Sequence, residues 1–152
     1  MIVGDPFCFA INYDVVAEWN SVGDLWKNGI FFIYINGQRI GELDVVELRT
    51  TLSFYKKNHD WKISSEGAGA SSRELYEAGF DLFYGEGKDN FYCIYDLTCT
   101  AFGDRGTFLF LCKTPHGERL VWSGSEGVNI EEVTLSPGTL KEVFSALLDD
   151  FY

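Results

Sequence analysis

The distribution of apolar and polar positions predicts mostly β-strands in the first third of the chain. Two runs rich in aromatic and β-branched residues, at 7–16 and 30–35, have strand character. Asn36-Gly37 follows the second run, and this pair favours a tight hairpin because both central residues of a type I′ turn need positive φ. The return strand is predicted over 39–48. We therefore expect an antiparallel meander in this region.

Strands are also predicted in the second half of the chain. Strand character returns at 91–97, after a glycine-rich segment. Apolar runs at 107–113 and 118–123 flank Pro115-His116-Gly117, and proline and glycine in this position predict a hairpin turn. A further strand is predicted over 128–135.

Short helices and loops are predicted between these strands. A short helix is expected over 50–57, where apolar residues share one side. Small, flexible residues predict a surface loop over 64–72. Ser72 can cap a helix over 73–78, which Gly79 is expected to end.

The end of the chain has the clearest helical pattern. Ser136 precedes Pro137, and proline is favoured in the first turn of a helix. The apolar residues that follow recur at the spacing of one helical face: Leu140, Val143, Phe144, Leu147, Leu148 and Phe151. This face is expected to pack on a sheet. Together the patterns predict an α+β fold in a single domain, residues 1–152, with an antiparallel β-sheet packed by the C-terminal amphipathic helix and one or two short helices.

The charge of the chain narrows the class of partner. Its 12 basic and 23 acidic residues give a formal net charge of −11. The excess is larger in the second half, with thirteen acids and five bases in 77–152 against ten and seven in 1–76. Nucleic-acid binding depends on Lys and Arg neutralising phosphates, so no nucleic-acid partner is expected. The charge favours a basic partner, with solubility as the alternative explanation.

Cysteine usage and the absence of long apolar runs indicate a cytoplasmic protein. The four cysteines lie in or beside apolar runs, without a C-x-x-C spacing, and are expected to be buried free thiols. The first residues show no basic segment followed by a cleavable apolar stretch, and no run approaches about 18 apolar residues. No membrane partner is therefore expected.

Residues suited to catalysis are few. The chain has two histidines, His59 and His116, and neither has local sequence support for a nucleophilic or metal site. His116-Gly117-Glu118 matches the start of the zinc deaminase signature, but no Pro-Cys-x-x-Cys follows. The glycine-rich segment 67–72 lacks the features of a dinucleotide or phosphate loop. A Cys-His pair and a carboxylate pair such as Glu131 with Asp96 stay open, but no catalytic residue, cofactor or metal is predicted.

Acidic residues near the end of the chain and one tryptophan are candidates for binding a partner. Because neighbouring residues on a strand face opposite sides, at least one of Glu131 and Glu132 should be well exposed. The candidate contacts are Glu126, Glu131, Glu132, Asp149, Asp150 and Trp61. Simple solvation of a strand edge and of a helix end is the alternative. Trp26 also lies beside polar residues and could be an interface anchor, but burial in the core is favoured for it.

The opening segment resembles a known family. Residues 4–11 read Gly-Asp-Pro-x-x-Phe-Ala-Ile, Trp26 precedes a glycine-aromatic strand, and 36–41 form an x-Gly-x-x-Ile-Gly hairpin. A weaker similarity lies in Leu-Val-Trp at 120–122, the acidic strand 129–135 and the closing helix. These features resemble the immunity protein 42 family, small bacterial proteins carried beside polymorphic or contact-dependent growth inhibition toxins.

The resemblance implies a non-enzymatic immunity protein that neutralises a cognate toxin by stoichiometric binding in the cytoplasm. The charge is compatible with a basic toxin such as a nuclease, while the oligomeric state stays open. Alternatives are a small α+β ligand-binding domain or enzyme with an unrecognised site, and a structural subunit that uses a sheet edge. A toxin gene immediately upstream would favour immunity, and a metabolic operon would favour an enzyme.

Overall fold

The computed structural model describes residues 1–57 and 59–147. The chain folds into two compact units. Unit 1 comprises Met1–Asn58 and Leu140–Tyr152, and unit 2 comprises His59–Thr139. Each unit contains one antiparallel sheet.

The sheet of unit 1 is the meander that the apolar pattern predicts. Its strands are β1 Ile2–Asp5, β2 Phe9–Val15, β3 Asn28–Ile35, β4 Gln38–Ile40 and β5 Val46–Glu47. They run in the order β1-β2-β3-β4, and β5 also pairs with β3. Asn36 and Gly37 connect β3 to β4 with φ of 50° and 78°, so the predicted turn is confirmed. The return strand is interrupted, however, because the chain leaves β3 after Ile40 and rejoins it at Val46.

Two helices complete unit 1. They are α1, Leu48–Tyr55, and α5, which begins at Thr139 and reaches Ala146. Within unit 1, the ring of Phe144 in α5 meets Phe9 edge-on at 5.8 Å and Tyr55 at 5.2 Å. The buried residues Leu140, Val143 and Phe144 confirm the predicted apolar face, whereas the predicted positions Leu148 and Phe151 lie outside the described residues.

The sheet of unit 2 contains the predicted hairpin. Its strands are β6 Ile94–Asp96, β7 Phe108–Thr114, β8 Gly117–Ser123 and β9 Glu131–Leu135. They run in the order β6-β7-β8-β9, so β9 is an edge strand. Every residue of β8 is buried. The buried residues of β8 include the polar Glu118, Arg119 and Ser123.

Helices occupy more of unit 2 than the sequence predicts. They are α2 Ser65–Gly69, α3 Ser72–Tyr84 and α4 Thr100–Gly103. The loop predicted over 64–72 is therefore wrong, because the Ser64 hydroxyl accepts from the Gly67 N–H and caps α2.

The long helix α3 departs from its prediction at both ends. Its cap is Ser71, in a capping box with Glu74, and the helix continues through Gly79 to Tyr84. A Cβ at position 79 would lie 2.7 Å from Cγ of Phe110. Gly79 thus permits close packing of helix on sheet and does not end the helix.

The fold class is confirmed as α+β with antiparallel sheets, although the strands form two sheets where one was expected. Strand periodicity identifies a buried face but not which strands pair across a long connection. The number of short helices is also larger than predicted. A single domain over residues 1–152 stays a prediction.

We expect Phe144→Ala to lower the free energy of unfolding by about 3–5 kcal/mol, because it removes a buried ring and leaves a cavity. Ser145→Ala is the matched control, since Ser145 is exposed on the same helix. Chemical denaturation of both variants measures the difference. Equal unfolding midpoints for the two variants would contradict the packing of α5 on unit 1.

Candidate functional site

The strand β9 places two of the predicted contact residues at the edge of the unit 2 sheet. Glu131 lies opposite Trp122 of β8, and Glu132 lies opposite Val121, so the two carboxylates face opposite sides. Within the described part of the chain, Glu131 is exposed and its side chain makes no hydrogen bond or ion pair. Glu131 is therefore available to a partner, and its charge also protects the edge from pairing with other strands.

Glu132 has a structural role that the sequence did not reveal. Its Oε2 accepts from Nε of Arg119 at 3.2 Å and from the same guanidinium's Nη2. Nη1 of Arg119 donates to the carbonyl oxygens of Gly67 and Ala70, each at 2.6 Å. Arg119 is only 9% exposed. The Glu132 carboxylate thus neutralises a buried cation that ties helix α2 to the sheet.

Glu126 lies at a small cleft between α3 and the connection from β8 to β9. The cleft has a volume of about 200 Å³ and is lined by Tyr76, Glu77, Phe80, Glu126 and Gly127. Glu126 adopts φ of 54°, a left-handed conformation that is uncommon for residues other than glycine. Within residues 1–57 and 59–147, its carboxylate has no hydrogen bond or ion pair.

Tyr76 lines this cleft, and its hydroxyl group is buried. Burial raises the pKa of its phenol, the Ser123 hydroxyl opposes part of the shift, and the charge of Glu126 adds to it. Ser123 Oγ already accepts from the N–H groups of Ser125 and Gly127, and the Tyr76 hydroxyl is buried without a hydrogen bond in the described structure. Nη1 of Arg73 lies 3.4 Å from Oε1 of Glu77 and donates to the Gly127 carbonyl at 3.3 Å, so the rim of the cleft already holds one cation. Of the two carboxylates that line the cleft, Glu126 is the one without an ion pair in the described structure.

The remaining predicted contacts are only partly described. Trp61 is half-buried, with its ring 4.9 Å from that of His59 and 6.3 Å from that of Tyr95. Asp149 and Asp150 lie outside the described residues. Unit 2 therefore contains Trp61, Glu126, Glu131 and Glu132, and only Glu132 is committed to an internal ion pair.

Unit 1 contains an apolar surface that the sequence analysis missed. Residues 16–27, here the Trp loop, include the 3-10 turn Ala17–Trp19 and connect β2 to β3. Leu25 is 77% exposed and Trp26 is 64% exposed, while Val22 is fully exposed. The predicted burial of Trp26 is therefore wrong. Trp26 is spaced from Val22 and Leu25 as residues on one helical face would be, but all three lie in the connection between β2 and β3, outside any helix or strand.

The backbone of the Trp loop is held by side-chain hydrogen bonds at its base. Nδ2 of Asn20 donates to the carbonyl oxygens of Val16 and Asn28 at 2.7 and 2.8 Å. Oδ1 of Asn20 accepts from the Asn28 N–H at 2.7 Å. Nδ2 of Asn28 donates in turn to the Trp19 carbonyl at 3.1 Å. These bonds close the loop on itself.

A second set of hydrogen bonds joins the end of the Trp loop to helix α1. The Glu47 carboxylate accepts from the backbone N–H of Lys27 at 3.0 Å, of Arg49 at 3.2 Å and of Thr50 at 2.6 Å. The Arg49 guanidinium donates to the Leu25 carbonyl at 2.5 Å. Burial raises the pKa of the Glu47 carboxyl, but the hydrogen bonds from Thr50, Lys27 and Arg49 outweigh it and leave the pKa lowered.

Metal and thiol chemistry have little support in the described structure. Residues 1–57 and 59–147 contain no group of three or more His, Cys, Asp or Glu side chains that could hold a metal ion. All four cysteines are described and are free thiols, with Cys99 and Cys112 buried and Cys8 and Cys93 half-buried.

Comparison with known proteins identifies the family. A model of the family described as Immunity protein 42 matches residues 1–150. The chain belongs to the immunity protein 42 family. The crystal structure of CdiI from Burkholderia dolosa AUO158 has a similar fold, with a TM-score of 0.80, 21% sequence identity and 99% of each chain covered. The comparison with curated proteins finds no match.

Residues 4–11, which carry the resemblance to the immunity protein 42 family, help to hold the turns of the unit 1 sheet in place. The Phe7 N–H donates to Oδ1 of Asp5 at 2.9 Å, which shapes the turn between β1 and β2. The carbonyl of Pro6 accepts from the Gly37 N–H at 2.9 Å, and that of Cys8 accepts from the Asn36 N–H at 3.0 Å. The motif thus fastens one turn of the sheet to the next.

Among the helices that are described, none has the length and apolar character needed to cross a membrane.

We expect Glu47→Gln to destabilise this immunity protein by about 1 kcal/mol at neutral pH, because the helix cap loses its charge. The folded pKa of Glu47 is lowered, so its contribution is present above the unfolded value of about 4.3 and is lost as pH falls through the folded pKa. The gap between wild type and variant should therefore narrow in acid. Urea unfolding across pH measures it, with Glu18→Gln as the exposed control. A gap that is constant with pH would contradict this role.

Proposed function

We propose that this immunity protein neutralises a cognate contact-dependent inhibition toxin by forming a stoichiometric complex in the cytoplasm, without catalysis. The family match over residues 1–150 carries the proposal. The fold likeness to CdiI from Burkholderia dolosa supports the type of toxin system. The surfaces of both units support binding, since they present exposed carboxylates and exposed apolar side chains.

The proposed toxin has a basic binding surface. The net charge of −11 attracts a cationic partner at long range and opposes association with nucleic acid or an anionic membrane surface. Glu131 offers an exposed carboxylate at a sheet edge, and Glu126 offers another beside the small cleft, where Glu77 is already paired with Arg73. We include Trp61, Glu132, Asp149 and Asp150 as candidate contacts, with Glu132 limited by its bond to Arg119.

Binding of a small molecule is the weaker alternative. Small-molecule sites usually have volumes of about 300–1,000 Å³. The cleft beside Glu126, at about 200 Å³, is smaller than this range. It suits a single side chain of a protein partner better than a metabolite.

Co-expression with the toxin domain encoded upstream should restore growth of cells that make that toxin. The two purified proteins should elute together in a 1:1 complex on a sizing column, because neutralisation by binding requires one inhibitor per toxin. Protection at inhibitor levels far below those of the toxin would indicate turnover and contradict the stoichiometric mechanism. Failure of the pair to co-elute while protection persists would contradict it as well.

Glu131→Lys should slow association with the toxin several-fold at low salt, because charge reversal weakens electrostatic steering. The difference should shrink at high salt, where the Debye length falls below about 8 Å. Glu132 is left intact, since a lysine there would face Arg119 and disturb the fold. Glu86→Lys is the control, with the same change in charge at another exposed position of unit 2.

Stopped-flow association rates measure this effect for the wild type and both variants. Equal slowing by Glu131→Lys and Glu86→Lys would assign the effect to net charge rather than to the β9 edge. A rate independent of salt would contradict a basic toxin surface.

A further inference from the structure

We propose that the Trp loop is the apolar anchor of the toxin complex, and that it enters an apolar recess with a basic rim on the toxin. This inference rests on the proposed function and assigns the surface that carries most of the binding energy. It concerns residues 16–27 of unit 1, of which the sequence indicated only Trp26 as a possible anchor, with burial favoured.

The exposure of the Trp loop is the first argument. Val22, Leu25 and Trp26 project large apolar side chains into solvent within five residues of one another. Trp19 is also exposed, in the same loop. Single exposed apolar residues are ordinary, but a concentration of them marks an interaction surface. Tryptophan is also among the residues that most often dominate the energy of protein interfaces.

The neighbouring segment 41–45 adds to this surface. Residues 41–45 connect β4 to β5, and β5 pairs with the first residues of β3, directly after the Trp loop. Leu43 and Val45 in this segment are 67% and 58% exposed. The strand register therefore brings two exposed apolar segments to the beginning of β3.

The hydrogen bonds of the Trp loop are the second argument. Asn20 and Asn28 fix its base, and Glu47 and Arg49 fix its end at Lys27 and Leu25. A segment that exposed apolar side chains only because it lacked structure would not make these bonds. A backbone fixed before binding loses less conformational entropy when the complex forms, so the same contacts give higher affinity.

The charges around the apolar side chains indicate the occupant. Residues 16–27 and 41–45 together contain four acids, Glu18, Asp24, Glu42 and Asp44, and one base, Lys27. The Arg49 guanidinium, which donates to the Leu25 carbonyl, adds a second cation, so the acids still outnumber the bases around the loop. A second copy of this chain would bring the same acidic set to a two-fold interface, where like charges oppose each other. A toxin with basic residues around an apolar recess is complementary to the same surface.

The test measures the complex of the full chain with the toxin domain, using Trp26→Ala and Leu25→Ala. Each variant should raise the dissociation constant about 30-fold or more, mainly through faster dissociation. Thermal midpoints should stay near that of the wild type, because both side chains are exposed. Phe91→Ala is the matched control, since Phe91 is 67% exposed in unit 2, and it should bind within about twofold of the wild type.

A charge variant tests the rim of the recess. Glu18→Lys should slow association at low salt and lose this effect at high salt. An association rate for Glu18→Lys equal to that of the wild type would contradict a basic rim on the toxin. Normal binding by both Trp26→Ala and Leu25→Ala would overturn the anchor while leaving the proposed function intact, whereas a wild-type protein that fails to bind the toxin would overturn the proposed function itself.

Sedimentation of the free protein tests whether a second copy of this chain, rather than the toxin, covers the Trp loop. A monomer that binds toxin through Trp26 supports the inference. A dimer that Trp26→Ala dissociates, with no change in toxin binding, would assign the surface to a second copy and overturn the proposal.

Discussion

The Glu47 carboxylate accepts hydrogen bonds from two segments that lie far apart in sequence. Arg49 and Thr50 donate from the first turn of α1, where backbone N–H groups have no partner within the helix, and Lys27 donates from the end of the Trp loop. One group therefore caps a helix and fixes the position from which Trp26 projects. The scaffold of unit 1 and its proposed binding surface therefore share the same support.

The two adjacent acidic residues of β9 have different surroundings in unit 2. Glu131 and Glu132 are adjacent and chemically alike, yet Glu132 balances the buried charge of Arg119, and Glu131 makes no hydrogen bond or ion pair in the described structure. Removing Glu132 would leave the buried Arg119 guanidinium without its counter-charge, which is destabilising. A double reversal of both residues would therefore mix loss of fold with loss of binding, and only Glu131 can report on steering alone.

The sequence identifies those features that depend on neighbouring residues. The Asn36-Gly37 turn, the hairpin at Pro115-His116-Gly117 and the apolar face of α5 follow from local pattern, as does the family motif. Sequence patterns do not identify features that depend on contacts between residues far apart in the chain. Gly79 resembles a helix end in sequence, but the structure shows that it lets α3 pack closely on Phe110. Trp26 resembles a core residue in sequence, but it lies in a loop whose base is held by the hydrogen bond between Asn20 and Asn28. The ion pair of Glu132 depends on β8 and β9 being neighbours, which no local signal reveals.

The acidic field and the apolar anchor act on different steps of association. Coulomb attraction operates before contact, within a screening length of about 8 Å at physiological salt, so a charge of −11 would raise the rate of encounter with the proposed basic toxin. In the proposed complex, burial of Leu25 and Trp26 would take effect only after water has left the interface, so it would lengthen the life of the complex. The proposed mechanism requires that the toxin be captured before it reaches its substrate and remain captured afterwards. Steering alone would give rapid but brief encounters, and an anchor alone would give slow capture, so protection by binding requires both.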